Sequence, residues 1–375
     1  MSSIVDEEWA VLAGLLPAGW RELARETGAI RRARGISDPD VLLRVLLLHV
    51  ASGLSLRSAA ARASELGLAD LSDVALLKRL RTSEEWLRTL AARMFSHTRF
   101  GPRAAAFPSG RRVRAFDATT VEEPGATGTD WRVHFSLALP DLRCDFYAVT
   151  DVTGGETFTR FPIAPGDVVL ADRGYSHRRG VAHVLGAGAD VLVRLNSTSF
   201  PLTGPTGQPF DLLAHLRRLR GTRPREWPVE FVHDGQRYRL RLCGVRKTRL
   251  AADRTKTKIT REATKKGRQL HARTLEAAEY VFVLTSLPGA DVTTDRVLEL
   301  YRTRWQIELV FKRMKSLMRL GHLPKRSDVS ARAWLEGKFL TVLLIERLLG
   351  GAKFFSPWGY DIASTQPLAR VHRGA

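Results

Sequence analysis

Cysteine is almost absent: Cys144 and Cys243 are the only two in 375 residues, far apart and without a Cys-x-x-Cys partner. That spacing indicates neither a disulfide framework nor a zinc site. Long apolar runs are missing as well. The longest, Val45 to Leu48 and Phe339 to Ile345, are too short to span a bilayer, so no membrane partner is expected. The chain starts Met-Ser-Ser-Ile-Val-Asp-Glu-Glu, without a basic segment followed by an apolar one, and a cytoplasmic protein is expected. Internal repeats and low-complexity tracts are lacking too. The last deficit is in acids, 39 Asp and Glu against 59 Lys and Arg, a formal charge of +20. With 44% hydrophobic and 26% charged residues the chain is an ordinary globular one. Its field attracts polyanions, and nucleic acid is the commonest that such a protein meets.

Residues 1 to about 105 read as helical. Ser37-Asp38-Pro39-Asp40 is a helix start, with a polar cap, proline in the first turn and acid at the positive end of the dipole. Ser55 and Ser72 cap two further short helices, the second carrying Lys78, Arg79 and Arg81. A helix, a glycine turn, a small-residue helix and a basic helix are compatible with a helix-turn-helix. After a turn-rich stretch the period becomes extended. Residues 112–120, 131–139 and 143–151 read as three antiparallel strands, the last two joined by a tight turn at Pro140-Asp141, with Asp117 on the inner Val113 and Ala115 face. Val168 to Ala171 is a buried-type strand closing on Asp172, and a crossover helix leads to a parallel strand at 190–195. Acids at the carboxyl ends of such strands stand where α/β sheets keep their sites.

From Asn196 to about Ala278 the pattern breaks. Two strands form a hairpin about Asp234-Gly235, and a segment from Arg246 to Arg268 holds ten Lys or Arg against Asp253 and Glu262, a net +8. That charge density favours phosphate contact, with Lys256, Lys258, Lys265 and Lys266 among the candidates. A strand returns at 279–285, and Thr293-Thr294-Asp295 opens a helix expected to run on through Tyr301, Arg304, Glu308 and Lys315. At about 100° per residue these four share one narrow face, beside an apolar arc containing Ile307, Val310, Phe311 and Met314. A carboxylate flanked by cations suits metal and phosphate chemistry. Asp117, Asp172 and Glu308 are thus a strand acid, a strand-end acid and a helix acid. Together they are the parts needed to hold two divalent ions, roughly 4 Å apart, for phosphodiester cleavage without a protein nucleophile.

These residues carry a resemblance. Tyr301, Arg304, Glu308 and Lys315 match the Tyr-(2)-Arg-(3)-Glu-(6)-Lys motif of one branch of the DDE transposases of bacterial insertion sequences. Asp172-Arg173-Gly174-Tyr175 resembles the segment around that family's second aspartate, and Phe116-Asp117-Ala118-Thr119 the first. The resemblance runs from roughly residue 30 to 345. It implies an α/β fold: an RNase H-like mixed-sheet core with a mostly β insertion domain between the second Asp and the Glu, 136 positions apart, preceded by an all-α N-terminal domain. The implied division is a helical DNA-binding domain over 1–105, core over 106–196, insertion over 197–278, the rest of the core over 279–350 and a tail from 351, which shows no period.

The implied enzyme is a mobile-element transposase that binds terminal inverted repeats, cuts both strands and joins the ends to target DNA. Asp117, Asp172 and Glu308 would hold two Mg²⁺ or Mn²⁺ ions. Tyr301, Arg304, Lys315 and Arg173 would grip DNA, and Trp305 could stack on a displaced base. A homodimer on DNA and a nucleoid location follow from the same resemblance. Two alternatives use part of these features: an RNase H-like structure-selective nuclease, and a catalytically decayed transposase acting only as a DNA-binding protein.

Overall fold

The computed structural model describes residues 4–31, 35–96, 110–123, 125, 131–139, 143–317, 319–321, 323–324 and 327–352. The turn-rich 101–109, the turn at Pro140-Asp141 and the tail beyond residue 352 lie outside the described residues. The chain divides into two compact units, one made of residues 1–98 with 324–375 and the other of 99–323.

The first unit begins with six helices: α1 (Ile4–Gly14), α2 (Trp20–Glu26), α3 (Pro39–Val50), α4 (Leu56–Glu65), α5 (Asp73–Thr82) and α6 (Glu84–Ser96). Their starts follow the capping chemistry of the sequence. Asp38 accepts from the Asp40 amide at 2.9 Å with Pro39 in the first turn, Ser55 from Ser58 at 3.0 Å, and Ser72 from Ala75 at 3.2 Å. Leu42, Leu43, Leu46, Leu76, Leu80 and Leu87 are buried, and Trp86 stacks on Trp20 while donating its indole N–H to the Trp20 carbonyl.

The second unit is organised on one eight-stranded sheet. In chain order its elements are β1 (Arg112–Val121), β2 (Trp131–Leu139), β3 (Arg143–Asp151), β4 (Asp167–Ala171), α7 (Arg178–Gly186) and β5 (Asp190–Arg194). They continue with α8 (Leu212–Arg217), β6 (Arg225–His233), β7 (Gln236–Arg246), α9 (Arg249–Lys265), α10 (Ala272–Ala277), β8 (Tyr280–Thr285), α11 (Thr294–Arg302) and α12 (Trp305–Leu317). The strand order is β3-β2-β1-β4-β5-β8-β7-β6. Pairing is parallel for β1 with β4 and β4 with β5, and antiparallel elsewhere. The parallel pair β4 and β5 is joined through α7, as a crossover connection requires.

Arg114 shows why a basic residue can stand in the middle of β1. Its side chain is 2% exposed and donates to both Asp145 oxygens at 2.7 and 3.1 Å, to Asp167 at 3.1 Å and to the Pro162 carbonyl at 2.6 Å. Arg112 adds two bonds to Asp167. This ion cluster ties β1, β3 and β4 together on the face opposite Asp117, since neighbouring residues of a strand point to opposite faces.

Two expectations need correction. The stretch 197–278 is not mostly β. It carries α8, α9 and α10 as well as β6 and β7, and its two strands do not make a separate sheet: β7 pairs with β8 over six residue pairs, extending the central sheet. The basic run after Val245 becomes α9, because Thr248 caps it, its side chain accepting from the Ala251 amide, and no Gly or Pro interrupts the following residues. The core's expected second half, 279–350, also ends early. From Pro324 onward the chain belongs to the first unit, where α13 (Asp328–Ala352) packs on α3, α5 and α6. Ala331, Leu335, Phe339 and Leu340 are buried there, and Arg347 donates to the Met94 carbonyl at 2.9 Å.

Candidate active site

The sheet register brings the first two acids together. Asp117 is paired with Phe135 of β2, whose ring lies 5.7 Å from Phe311 of α12, so Asp117 is on the face that α12 covers. The parallel β1–β4 register ends at Phe116 opposite Ala171, and the next residues are Asp117 and Asp172. Both acids therefore stand side by side at the carboxyl end of the β4 strand, where β4 gives way to the tight turn Arg173–Tyr175. The Asp172 carboxylate caps that turn, accepting from the Gly174 amide at 2.7 Å.

Glu308 reaches this pair through a cation. Arg304 Nη1 is 3.5 Å from Asp117 Oδ2, and Arg304 Nη2 donates to Glu308 Oε1. The guanidinium and Asp117 are largely buried, whereas the Glu308 side chain is 56% exposed. Among the described residues, no three acidic, His or Cys side chains are placed so as to hold a metal ion as they stand. Arg304 takes the position between Asp117 and Glu308 that a shared cation would fill.

The field at the strand ends is acidic. Burial, with the nearby charges of Asp172 and Glu156, pushes the Asp117 carboxyl up to about 7, against the pull of the Ala118 amide and Arg304. Glu156 is likewise raised, by burial and then by Asp172. Hard carboxylate oxygens crowded together, with the Asp172 charge opposing ionisation of its neighbour Asp117, are the donor set a divalent cation neutralises, so Asp117 and Asp172 fit such an ion.

The helix carrying Glu308 differs from the expected continuous one. Helix α11 ends at Arg302 and α12 begins at Trp305. Thr303 sits at the break, its hydroxyl donating to the Leu300 carbonyl at 2.7 Å and competing with the helical amide ladder. The amides of Thr303, Arg304, Gln306 and Ile307 all bond three residues back, which tightens the backbone there. Tyr301 and Glu308 thus lie on different helices and not on one face. Tyr301 still borders the site: its ring is 5.9 Å from the Arg304 guanidinium carbon, and its hydroxyl is raised first by burial, with Arg304, Arg194 and Asp172 all in its field.

Lys315 is exposed on α12 and lines, with Thr119, Glu308, Phe311, Lys312 and Ser316, an open depression of about 550 Å³ beside the Glu308 carboxylate. Trp305 is 52% exposed, a surface-facing ring. Arg173 is exposed and bonds Asn196 at 3.0 Å. In the basic segment Lys258, Lys265 and Lys266 are exposed on or just beyond α9, but Lys256 is held 2.6 Å from Glu279, which also takes Arg246. Lys247 points inward to the Ala278 carbonyl, and burial lowers its pKa to about 8. The run's charge is therefore partly spent within the fold.

Sequence reasoning missed two side chains. Lys312 is one turn after Glu308 and lines the same depression. Glu156 follows Gly154-Gly155 and stands against the Asp172 turn, where a Cβ at Gly174 would overlap its Oε2. The signal was the glycine of Asp172-Arg173-Gly174-Tyr175, which leaves room for a neighbour that sequence spacing does not identify.

The chain is similar to known proteins over most of its length. Residues 141–344 match the transposase DDE domain family, a span that includes Asp172 and Glu308 and begins after Asp117. The chain is 35% identical over 342 residues to InsL of insertion sequence element IS186A from Escherichia coli K12, covering 89% of this chain and 91% of that protein. Identity to the transposase of element IS421 from Escherichia coli is also 35%, with the same coverage. A more distant relative, the transposase of element IS231F from Bacillus thuringiensis, is 24% identical over 265 residues. Family match, relatives and RNase H-like strand order coincide, and the chain belongs to the DDE transposases of insertion sequences, metal-dependent enzymes that cut DNA.

Proposed function

We propose that this transposase binds the terminal inverted repeats of its own element, cuts both strands and joins the freed 3′-ends to target DNA at a site formed by Asp117, Asp172 and Glu308. The observation that carries the reading is that Asp117 and Asp172 stand side by side on β1 and just past the carboxyl end of β4, with Arg304 linking Asp117 to Glu308. Asp117 and Asp172 would hold one Mg²⁺ or Mn²⁺ ion, and Glu308 would join in holding a second after releasing Arg304. Divalent ions there lower the pKa of an attacking water or 3′-hydroxyl and stabilise the leaving oxygen.

The protein's own groups do the rest. Arg304, when free of Glu308, is placed to pair with a phosphate near the scissile bond. Lys312 and Lys315 hold the strand along the depression beside α12. The exposed cations on α9, with Arg173, supply sequence-independent backbone contacts, and two copies of the chain would bring the two element ends together.

The test is incubation of the purified protein with a labelled duplex carrying the element's terminal repeat, in Mg²⁺, Mn²⁺ or EDTA. Metal-dependent nicking at the element end is expected. Asp172→Ala and Glu308→Gln should abolish it and leave duplex binding within about threefold of wild type, a change smaller than one kcal/mol. Cutting by Glu308→Gln at the wild-type rate would remove Glu308 from the site.

A further inference from the structure

Glu156 lies in the loop between β3 and β4, and neither the motif nor the strand-end rule selects it. A Cβ at Gly174 would overlap Glu156 Oε2 and stand 3.0 Å from Asp172 Oδ1, so the two carboxylates sit within about 5 Å of one another. Among the described residues the structure gives the Asp172 carboxylate the Gly174 amide, and gives the Glu156 carboxylate no hydrogen bond or ion pair. The Glu156 backbone carbonyl, in contrast, is fixed by His177 Nε2 at 3.1 Å. The loop is therefore anchored while its carboxylate is left for another partner.

Tyr175 supplies an independent observation. Its ring is fully buried against Phe158 and Phe161, and its hydroxyl has no hydrogen-bond partner. That hydroxyl stands in the field of Asp117, Glu156 and Asp172 together. A buried, unpartnered O–H is costly, so its persistence in the field of three carboxylates points to a group or ordered water that the acids share. The Arg132 charge acts on Glu156, yet the two close no ion pair.

We propose that Glu156 is a fourth acidic residue of the active site, sharing a divalent cation with Asp172, with the Tyr175 hydroxyl bonding a ligand of that cation. The proposal rests on the site reading above. Three consequences follow from the geometry. Cation binding at Asp172 and Glu156 does not need Glu308 to leave Arg304, so a first ion enters before DNA arrives. Gly174 is required because any side chain there displaces Glu156. Arg304, still bound to Asp117 and Glu308, marks the place that fills last.

The experiment measures Mn²⁺ binding to the full-length, DNA-free protein by electron paramagnetic resonance and calorimetry, for wild type, Glu156→Gln, Glu156→Asp and Asp172→Asn, with circular dichroism to verify folding. Glu156→Gln should weaken the tightest Mn²⁺ site by about tenfold to a hundredfold, Glu156→Asp by less, and Asp172→Asn by at least as much as Glu156→Gln. Duplex binding in EDTA should survive in all of them. If Asp172→Asn loses Mn²⁺ while folded Glu156→Gln binds it as wild type does, Glu156 is outside the site and the triad stands. If neither substitution changes Mn²⁺ binding, the triad reading itself fails and takes this proposal with it. Should Glu156→Gln not fold, wild-type Mn²⁺ affinity in Glu156→Asp and in Gly174→Ala together would also overturn it.

Discussion

The site's chemistry is concentrated in single carboxylates held where charge is unwelcome. Asp117 has an ordinary carboxyl pKa near 3.8 when unfolded and about 7 in the folded protein, because burial and then Asp172 oppose its ionisation. The native state therefore binds the extra proton between these values, and stability falls as pH rises through that window. Above about pH 7 the penalty is complete. In EDTA, Asp117→Asn should raise stability at pH 8 by on the order of 1–3 kcal/mol and flatten the profile between pH 5 and 8, as read by urea unfolding. A profile identical to wild type would mean that Asp117 is not the titrating group. On the other face of β1 the logic reverses. Arg114 is buried with both acids in place, so Asp145→Ala leaves a charge half-compensated and should cost about 3–5 kcal/mol, measured the same way.

Two elements show how local chemistry was and was not legible. Helix α9 was readable as a basic run, but not which of its cations are free. Glu279 lies on the far side of α10 in sequence and takes Lys256 and Arg246 only in three dimensions. Reversing Lys258 and Lys265 together should lower duplex affinity and reduce the slope of log K against log salt by about 1 to 2, since each phosphate that no longer meets a cation retains roughly one counterion. Lys256→Ala should leave that slope unchanged, and the partly exposed pair it removes contributes about 0–1 kcal/mol. A slope change for Lys256→Ala equal to that of the double reversal would put Lys256 on the DNA. The α11–α12 junction is the complementary case. The spacing of Tyr301, Arg304, Glu308 and Lys315 is helical, and the break at Thr303 arises from a hydroxyl-to-carbonyl bond that periodicity does not register.

At the scale of the whole molecule, a +20 protein with an acidic pocket at its sheet ends has opposite requirements at surface and site. The surface wants low salt and the pocket wants a cation. Added Mg²⁺ should therefore stabilise the DNA-free protein, and more at pH 8 than at pH 6, because the ion competes with the proton that Asp117 retains at the lower pH. Thermal unfolding at matched ionic strength checks this, and equal shifts at both pH values would place the ion elsewhere. What the sequence determined by itself is the local grammar: helix caps at Asp38, Ser55, Ser72 and Thr293, the Asp234-Gly235 turn with both residues at positive φ, and the strand alternation around Asp117. Each depends on interactions within a few residues, so spacing records it. Only the tertiary structure decided that β6 and β7 join the central sheet, that α13 packs with the first helices, that Lys256 is spent on Glu279 and that Glu156 stands beside Asp172. Those are pairings between residues distant in the chain, fixed by strand register and by burial shared among elements, and no local pattern encodes them.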